Sequence, residues 1–523
     1  MKTVFYNIEE EKWKELLSFE IHNGIFSAVK SRDIVDFTKV EEYILPGFID
    51  AHIHILEDPY KTDSCESIPN ETFDFLWKRA VKNLNDALTL GVTTVKDLGG
   101  RFFVSVDVKN KIDNSNLDLP NFYTTGCYFS RIGGHSENRG AILIGNISEF
   151  DNHLQFLKNK KIEFVKILND KKVFSDEELK SMIDLAHDFG MLVSVHAFNN
   201  DTALSAVSAG TDILEHVGDF SDELLDVIEN KGVIVVPTYV SAFDSCYNSC
   251  EGLGEDISEE LLKKWYVSEC KVIPKLFDRN IKVALGSDGG FLGTPCDSII
   301  REIQLLYKHF NINIEKILKS AYIVTPLTFK GGKHIGLIKK GYSADFICYK
   351  ENPLHDLKQL EMPNKVFLRG KETKISRIKY RLLSKEDAKQ VIKHLYNPFF
   401  DCGNINDSWS VEEIEAWLSN RNDICVGSFI EEKLIGFCLT HFHVEVHKVH
   451  MENIFVIDEY RKQGVAHNLF NLIKKHYKQK NDKKIRFIGL VDLNNDKALE
   501  FLADEEMTIG NKMIWVQLNI EKT

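Results

Sequence analysis

The sequence predicts an α/β protein in three parts. A (β/α)8 barrel is expected over residues 46–339, a small β-sandwich from the two ends of that part (residues 1–45 and 340–372), and a separate α+β domain over residues 376–523. Three observations lead there. Between residues 46 and 339 short apolar runs alternate with amphipathic stretches, the sign of repeated β-α units and a parallel sheet. Residues 340–372 return to short strand-like runs of the kind that open the chain. After a basic polar stretch at Glu372–Lys379, a new β-α order begins. A chain of 523 residues exceeds one ordinary domain, so two or three are expected.

Taken in order, TVFYNI and SFEIHNGIFSAV give the opening strands, which end in YILPGFIDAHIHI. The barrel strands are then GVTTVKDLG, EFVKILND, MLVSVHAF, TDILEHVG, GVIVVPTYV and KVALGSDGG. Helical stretches separate them; in SDEELKSMIDLAHDFG, Ser175 reads as an N-cap and Gly190 as the stop. GYSADFICYK and NKVFLRGK supply the late strands that would pair with the first ones. In a closed barrel of this type the reactive groups lie at the C-terminal ends of the strands, so polar residues late in the apolar runs become the candidates.

Composition narrows the class. Hydrophobic residues make up 43% and charged residues 27%, which suits a soluble globular chain with sizeable cores. A formal net charge of -13 argues against nucleic-acid and anionic-membrane partners, since both need basic surface. The opening MKTVFYNIEEEKW has no apolar core of a signal peptide, and no later run approaches a membrane span. The ten cysteines form no CxxC pair, Cys246 and Cys250 being the nearest two; buried thiols in a reducing cytoplasm are expected.

Six of the late polar residues form a metal-ligand set. His52 and His54 stand two apart in a strand-like run, so both imidazoles project from one face. Alone, such a pair is equally the mark of hydrogen-bonded core histidines. Lys166 lies in EFVKILND, in the middle of an apolar run where an amine needs a partner unless it snorkels. His196, His216 and Asp288 each close a further apolar run. Their weight lies in the joint pattern, because six ligand-type side chains end five strands of one barrel.

With PGFIDAHIH, GVTTVKDLGG, the GGH at 133–135, SVHAF, LEHVGD, LGSDGG and the late GYSADF and NPLHDL, residues 1–372 resemble the amidohydrolase superfamily, near its imidazolonepropionase-like and Xaa-Pro dipeptidase-like members. The resemblance implies two divalent ions, with zinc the first expectation from the ligand types. Lys166 would be carboxylated and bridge them, His52, His54 and Asp288 would complete the first site, and His196 with His216 the second. A water shared by the ions would be acidified and the scissile carbonyl polarised. Asp288 would take the water's proton and pass it to the leaving nitrogen. His135 resembles the family histidine that reaches substrate, and Tyr239 at the next strand end has a similar expected role. Arg131 and Arg139 flank His135 and would hold a substrate carboxylate. Specificity would lie in the loops at 101–120, 130–145 and 241–260.

In the last part, MENIFVIDEYRKQGVAHNLFNLIKKHY reads as a strand, a glycine-containing loop and an amphipathic helix. Free N–H groups at such a helix start suit a pyrophosphate, and glycine allows its close approach. With the following KKIRFIGLVDLNNDKALEFL, residues 376–523 resemble GNAT-type N-acetyltransferases. The acetyl-CoA residues implied are Val456, Arg461, Lys462, Gln463, Gly464, Val465, Ala466 and Asn495, with Ala498 completing the later N-x-x-A segment. Glu452 matches the general base. Leu502 stands where many members have the tyrosine that acts as general acid.

The expectation is a bifunctional cytoplasmic enzyme: a metal-dependent hydrolase of an amide, cyclic amide or dipeptide, fused to an acetyl-CoA-dependent N-acetyltransferase. Its partners would be small-molecule amide and amine substrates and further copies of the chain. Two other readings stay open: an acetyltransferase whose barrel only recognises or scaffolds, and a hydrolase whose GNAT domain binds CoA without transferring.

Overall fold

The computed structural model describes residues 2–59, 71–252, 270–291, 293–373, 378–395, 409–430, 432–461, 465–480 and 485–489. The chain divides into two compact units, Met1–Ile375 and Ser376–Thr523.

The two ends of the first unit come together in one sheet. Its strands are β1 (Lys2–Asn7), β2 (Lys12–His22), β3 (Ile25–Asp33), β4 (Val40–Pro46), β15 (Phe346–Tyr349), β16 (Lys365–Leu368) and β17 (Lys371–Glu372), in the order β17-β16-β15-β4-β1-β2-β3. The junction between the chain's two ends is antiparallel, with Ile347 opposite Leu45. Phe5, Phe26, Ile44 and Phe346 share a core beside it, and Phe367 stacks on Phe346 at 4.3 Å. The described ladders form one continuous seven-stranded sheet that folds back on itself: Phe19 of β2 lies 5.5 Å and Phe26 of β3 6.0 Å from Phe346 of β15, and Ala344 N donates to Gly24 O at 2.8 Å. β4 pairs with both β1 and β15, which makes the pairing continuous across the two ends.

Between these ends lie two parallel sheets. One holds β5 (Phe48–Ile53), β6 (Val92–Asp97) and β7 (Asn121–Thr124). The other holds β8 (Phe129–Ser130), β9 (Ile142–Leu143), β10 (Phe164–Leu168), β11 (Leu192–His196), β12 (Ile213–Glu215), β13 (Ile234–Val236) and β14 (Lys282–Val283), in the order β14-β13-β12-β11-β10-β8-β9. Only four residues separate β7 from β8, and among them Gly126 has φ +77°, a conformation that turns the strand and suits glycine. On the other flank β5 meets the segment after β14: Ala51 N donates to Leu285 O (3.1 Å), Asp288 N to His52 O (2.7 Å) and His54 N to Gly289 O (2.6 Å).

Helices follow most of these strands, and their ends obey local rules. Asp176–Asp188 begins at Ser175, whose side chain accepts from Glu178 N while Glu178 reaches back to the Ser175 N–H, a reciprocal cap. It stops at Gly190, which has φ +70°. Its buried face, Leu179, Met182, Ile183 and Ala186, joins the large core that includes Val165, Val193 and Leu214 of the strands.

In the second unit β18 (Lys379–Leu382), β19 (Val426–Ile430), β20 (Lys433–His443), β21 (Lys448–Val456) and β22 (Arg486–Gly489) form one sheet in that order. The helix Val465–Lys480 packs Leu469, Phe470 and Ile473 on one face, with Cys438, Phe442 and Val449. Helices Ala388–Leu395 and Val411–Leu418 cover the other face around Phe437, Leu439 and Phe455. Among the described residues no helix is long and apolar enough to cross a membrane.

Candidate metal centre

Parallel strands put the candidate residues at one edge because each follows an apolar run that fixes its strand in the core. His52 is the fifth residue of β5 and His54 follows its end; His196 ends β11; His216 follows β12; Asp288 lies past β14. His216, Thr238 and Asp288 all adopt left-handed backbone, with φ 70°, 49° and 58°. For side chains with a Cβ this is strained, and backbone bonds hold it in place, His216 N to Val236 O at 2.8 Å and Asp288 N to His52 O.

Hydrogen bonds decide which imidazole nitrogens remain available. His52 Nδ1 lies 2.8 Å from Glu215 Oε2, and His54 Nδ1 lies 2.8 Å from the Gly99 carbonyl. A carboxylate and a carbonyl can only accept, so both Nδ1 atoms donate, which in the neutral rings leaves both Nε2 atoms with lone pairs. Those two Nε2 atoms face the same oxygen, Asp288 Oδ1, at 3.1 and 3.3 Å. Three acceptors thus converge, and neither His52 Nε2 nor Asp288 Oδ1 has a hydrogen-bond partner. A divalent cation satisfies such a set, so the residues present fit a metal ion. Asp288 Oδ2 meanwhile accepts from Ser241 Oγ at 3.1 Å.

His216 stands next to this trio, its ring 4.9 Å from that of His52 and 4.4 Å from that of His196. Its Nδ1 is 2.6 Å from Thr238 Oγ1. Burial holds the pKa of both His196 and His216 well below the usual histidine value, so both imidazoles are neutral, the form in which they bind metals. Lys166 is 1% exposed and its Nζ has no hydrogen-bond partner. Burial lowers its pKa against the pull of Glu215 and Asp288. Glu215 shows the opposite balance: burial alone would raise its pKa, but His52, Lys166 and Lys96 hold it below the usual range.

The remaining barrel candidates divide. His135 comes to the site, its ring 4.7 Å from His196 and its Nδ1 3.2 Å from Asp170 Oδ2. Tyr239 does not. It opens the helix Tyr239–Gly252, is 1% exposed, packs against Phe243 and Phe310, and its hydroxyl bonds His309 Nδ1 at 2.9 Å. Arg131 is committed elsewhere: its guanidinium forms a bidentate pair with Glu178 at 2.9 and 2.8 Å and lies 4.8 Å over Phe174. Arg139 lies 5.1 Å over Phe291, whose ring is 5.0 Å from that of His54.

Glu215, Asp170 and Thr238 were not singled out in the sequence, although all three touch the candidate ligands. Glu215 had a signal, since an acid inside the apolar run ILE must be paired. Phe198, 43% exposed and stacked 4.9 Å from His216, adds an apolar wall.

In the second unit the β20–β21 register slips: Leu439 faces Asn453 but Thr440 faces Met451, leaving Glu452 as the extra, bulged residue. Its Oε1 lies 2.7 Å from His450 Nδ1. Val456 ends β21 and its carbonyl accepts from Arg461 Nε at 2.7 Å; Arg461 also pairs with Asp458. Val465 and Ala466 open the long helix. Lys462, Gln463, Gly464, Asn495, Ala498 and Leu502 lie outside the described residues.

Comparison with known proteins agrees with both units. The amidohydrolase family model matches residues 43–373, and the acetyltransferase (GNAT) family model matches residues 389–504. Ochratoxinase of Aspergillus niger is 23% identical over 360 residues, covering 62% of this chain and 73% of that protein. Imidazolonepropionase of Thermoanaerobacter pseudethanolicus is 21% identical over 341 residues, 58% of this chain and 75% of that one. Among solved structures, a Xaa-Pro dipeptidase with bound methionine superposes with a TM-score of 0.60 at 20% identity, over 71% of this chain and 98% of that chain.

Proposed function

The chain belongs to the amidohydrolase family and carries a C-terminal GNAT domain, and from that premise we propose a bifunctional enzyme, a two-metal C–N hydrolase fused to an acetyl-CoA-dependent N-acetyltransferase. The observation that carries the first half is the convergence of His52 Nε2, His54 Nε2 and Asp288 Oδ1 beside a buried Lys166 amine without a partner. We read the two parallel sheets as one closed barrel, with β7 and β8 as halves of a single strand. His52, His54 and Asp288 would hold one zinc ion, and His196 with His216 the other.

Lys166 would bridge them after reacting with carbon dioxide: the neutral amine forms the N–C bond and releases one proton, giving a carbamate. Burial favours this by lowering the amine's pKa. Bound divalent ions supply the charge that polarises an amide carbonyl and acidifies water. Asp288, oriented by Ser241, would take a proton from the attacking water and return it to the leaving nitrogen. His135, oriented by Asp170, holds the substrate carbonyl. The substrate is a small amide, cyclic amide or dipeptide, and Phe198 favours an apolar group beside His216.

In the GNAT half, acetyl-CoA supplies the activated thioester, held by Val456, the segment from Arg461 to Ala466, and Asn495. Glu452 accepts the proton of the acceptor amine; its bulged position on β21 and its contact with His450 support that role. The six described free cysteines are all buried, which supports a reducing, cytoplasmic setting.

The test is a screen of N-acyl amino acids, dipeptides and lactams on the full chain, with bound metal quantified and CoA release followed in parallel. Hydrolysis of one class with two ions per chain is expected. Full metal loading without hydrolysis of any of them, alongside steady acetyl transfer, would favour a barrel that only recognises.

A further inference from the structure

We propose that Asp170 is a metal ligand in this chain, joining His196 at the second cation beside His135. The inference deepens the two-ion reading above and rests on it.

Among the described residues two trios bring their ligand atoms within 4.8 Å of one another: His52, His54 and Asp288, and separately His135, Asp170 and His196. The two have the same donor set, two imidazoles and one carboxylate. Within the second trio, Asp170 Oδ1 and His196 Nε2 are both buried and lack a hydrogen-bond partner. The other carboxylate oxygen, Asp170 Oδ2, is 3.2 Å from His135 Nδ1. A carboxylate with one oxygen buried and unsatisfied is costly unless a cation or donor meets it.

The loop that carries Asp170 is pinned. It follows β10, the strand of Lys166. Asn169 Oδ1 accepts from Phe174 N at 3.1 Å, and the Asp170 carbonyl accepts from Asn199 Nδ2 at 3.4 Å. Asp170 is therefore held just past the end of β10, as Asp288 is held past β14. Charge gives the same answer. Asp288 serves the first trio, and beyond the shared Lys166 carbamate His196 with His216 would bring no anion to a second divalent ion. Asp170 supplies one.

The competing account is that Asp170 only orients His135. Cobalt loading of the full-length protein separates the two, because the visible bands of Co2+ respond chiefly to the number and type of its donors and far less to their neighbours. Wild type, Asp170→Asn, Asp170→Glu and His135→Gln are dialysed against Co2+, and ion content, affinity and spectrum are recorded. Wild type should hold two ions. Asp170→Asn should weaken one of them by at least about tenfold and shift the bands, while Asp170→Glu, which keeps a carboxylate donor, should restore binding. Two ions with unchanged affinity and spectrum in both Asp170 variants would overturn the proposal, whatever happens to hydrolysis. Fewer than two ions in wild type would instead overturn the two-ion reading, and this inference with it.

Discussion

Among the described residues of the first unit two lysines lie buried, and they are treated differently. Lys96, in β6, donates to the Thr328 carbonyl at 3.3 Å and lies over the rings of Phe164 and Phe329 at 5.7 and 5.4 Å. Burial pushes its pKa down to about 8, yet the amine has company. Lys166, in β10, has no hydrogen-bond partner at all. Both face the same acid, since Glu215 attracts each of them. The contrast separates a polar group that the fold satisfies by itself from one that only a ligand or a chemical modification completes.

The largest effect should come from exchanging the two lysines for apolar side chains. Lys166→Met is expected to abolish hydrolysis and remove the second ion, a greater loss than the 10–100-fold typical of changes next to a ligand. In metal-free protein the same variant should be more stable than wild type by about 1–3 kcal/mol, because an unpartnered buried amine is gone. Lys96→Met should behave in the opposite way, keeping both ions while losing stability as the Thr328 carbonyl loses its donor. Metal analysis and denaturant unfolding of the two variants check this. Equal metal loss in both would break the distinction.

Glu215 sharpens the comparison at intermediate size. It fixes the His52 tautomer through the 2.8 Å contact to Nδ1, so its role passes through His52 rather than through substrate. Glu215→Gln should weaken the first ion by about 10–100-fold, while leaving Lys166 to form its bridge. Chelator competition measures it. If affinity stayed within about twofold, His52 would be held in its tautomer by other means.

Much of this was legible in the sequence, for a physical reason. A polar residue closing an apolar strand has one place to go in a parallel sheet, the C-terminal edge, so the joint pattern of His52, His196, His216 and Asp288 already points to one edge. The same rule misplaced Tyr239. Its run ends at Thr238, whose left-handed backbone turns the chain into a helix and carries the ring to His309. Nothing local reveals that turn, because threonine rarely adopts it. Arg131 failed for distance: Glu178, which takes its guanidinium, is 47 residues away. Likewise, alternation in residues 1–45 and 340–372 identifies strands but not their order, and the pairing of β4 with β15, which joins the two ends, is not local in sequence.

The smallest effect concerns a third buried ionisable group, one met by backbone N–H groups. Glu302 accepts from Tyr239 N at 3.1 Å and Val240 N at 2.6 Å at the start of the helix Tyr239–Gly252. Burial nevertheless raises its pKa from the ordinary 4.5 to about 8, aided by Asp50 and Asp244. Between these values the folded state keeps a proton that the unfolded chain has released. Stability therefore falls as pH rises from about 4.5 to about 8 and is level above that. Glu302→Gln cannot titrate, so its stability relative to wild type should climb through the same window. At the acid end it should sit about 1 kcal/mol below wild type, because its single acceptor oxygen serves two N–H groups less well. Paired denaturant curves on metal-free protein across this pH range isolate the slope. A constant difference between the two proteins would mean that the two N–H groups keep Glu302 ionised in the fold, and that backbone donors alone can satisfy a buried charge.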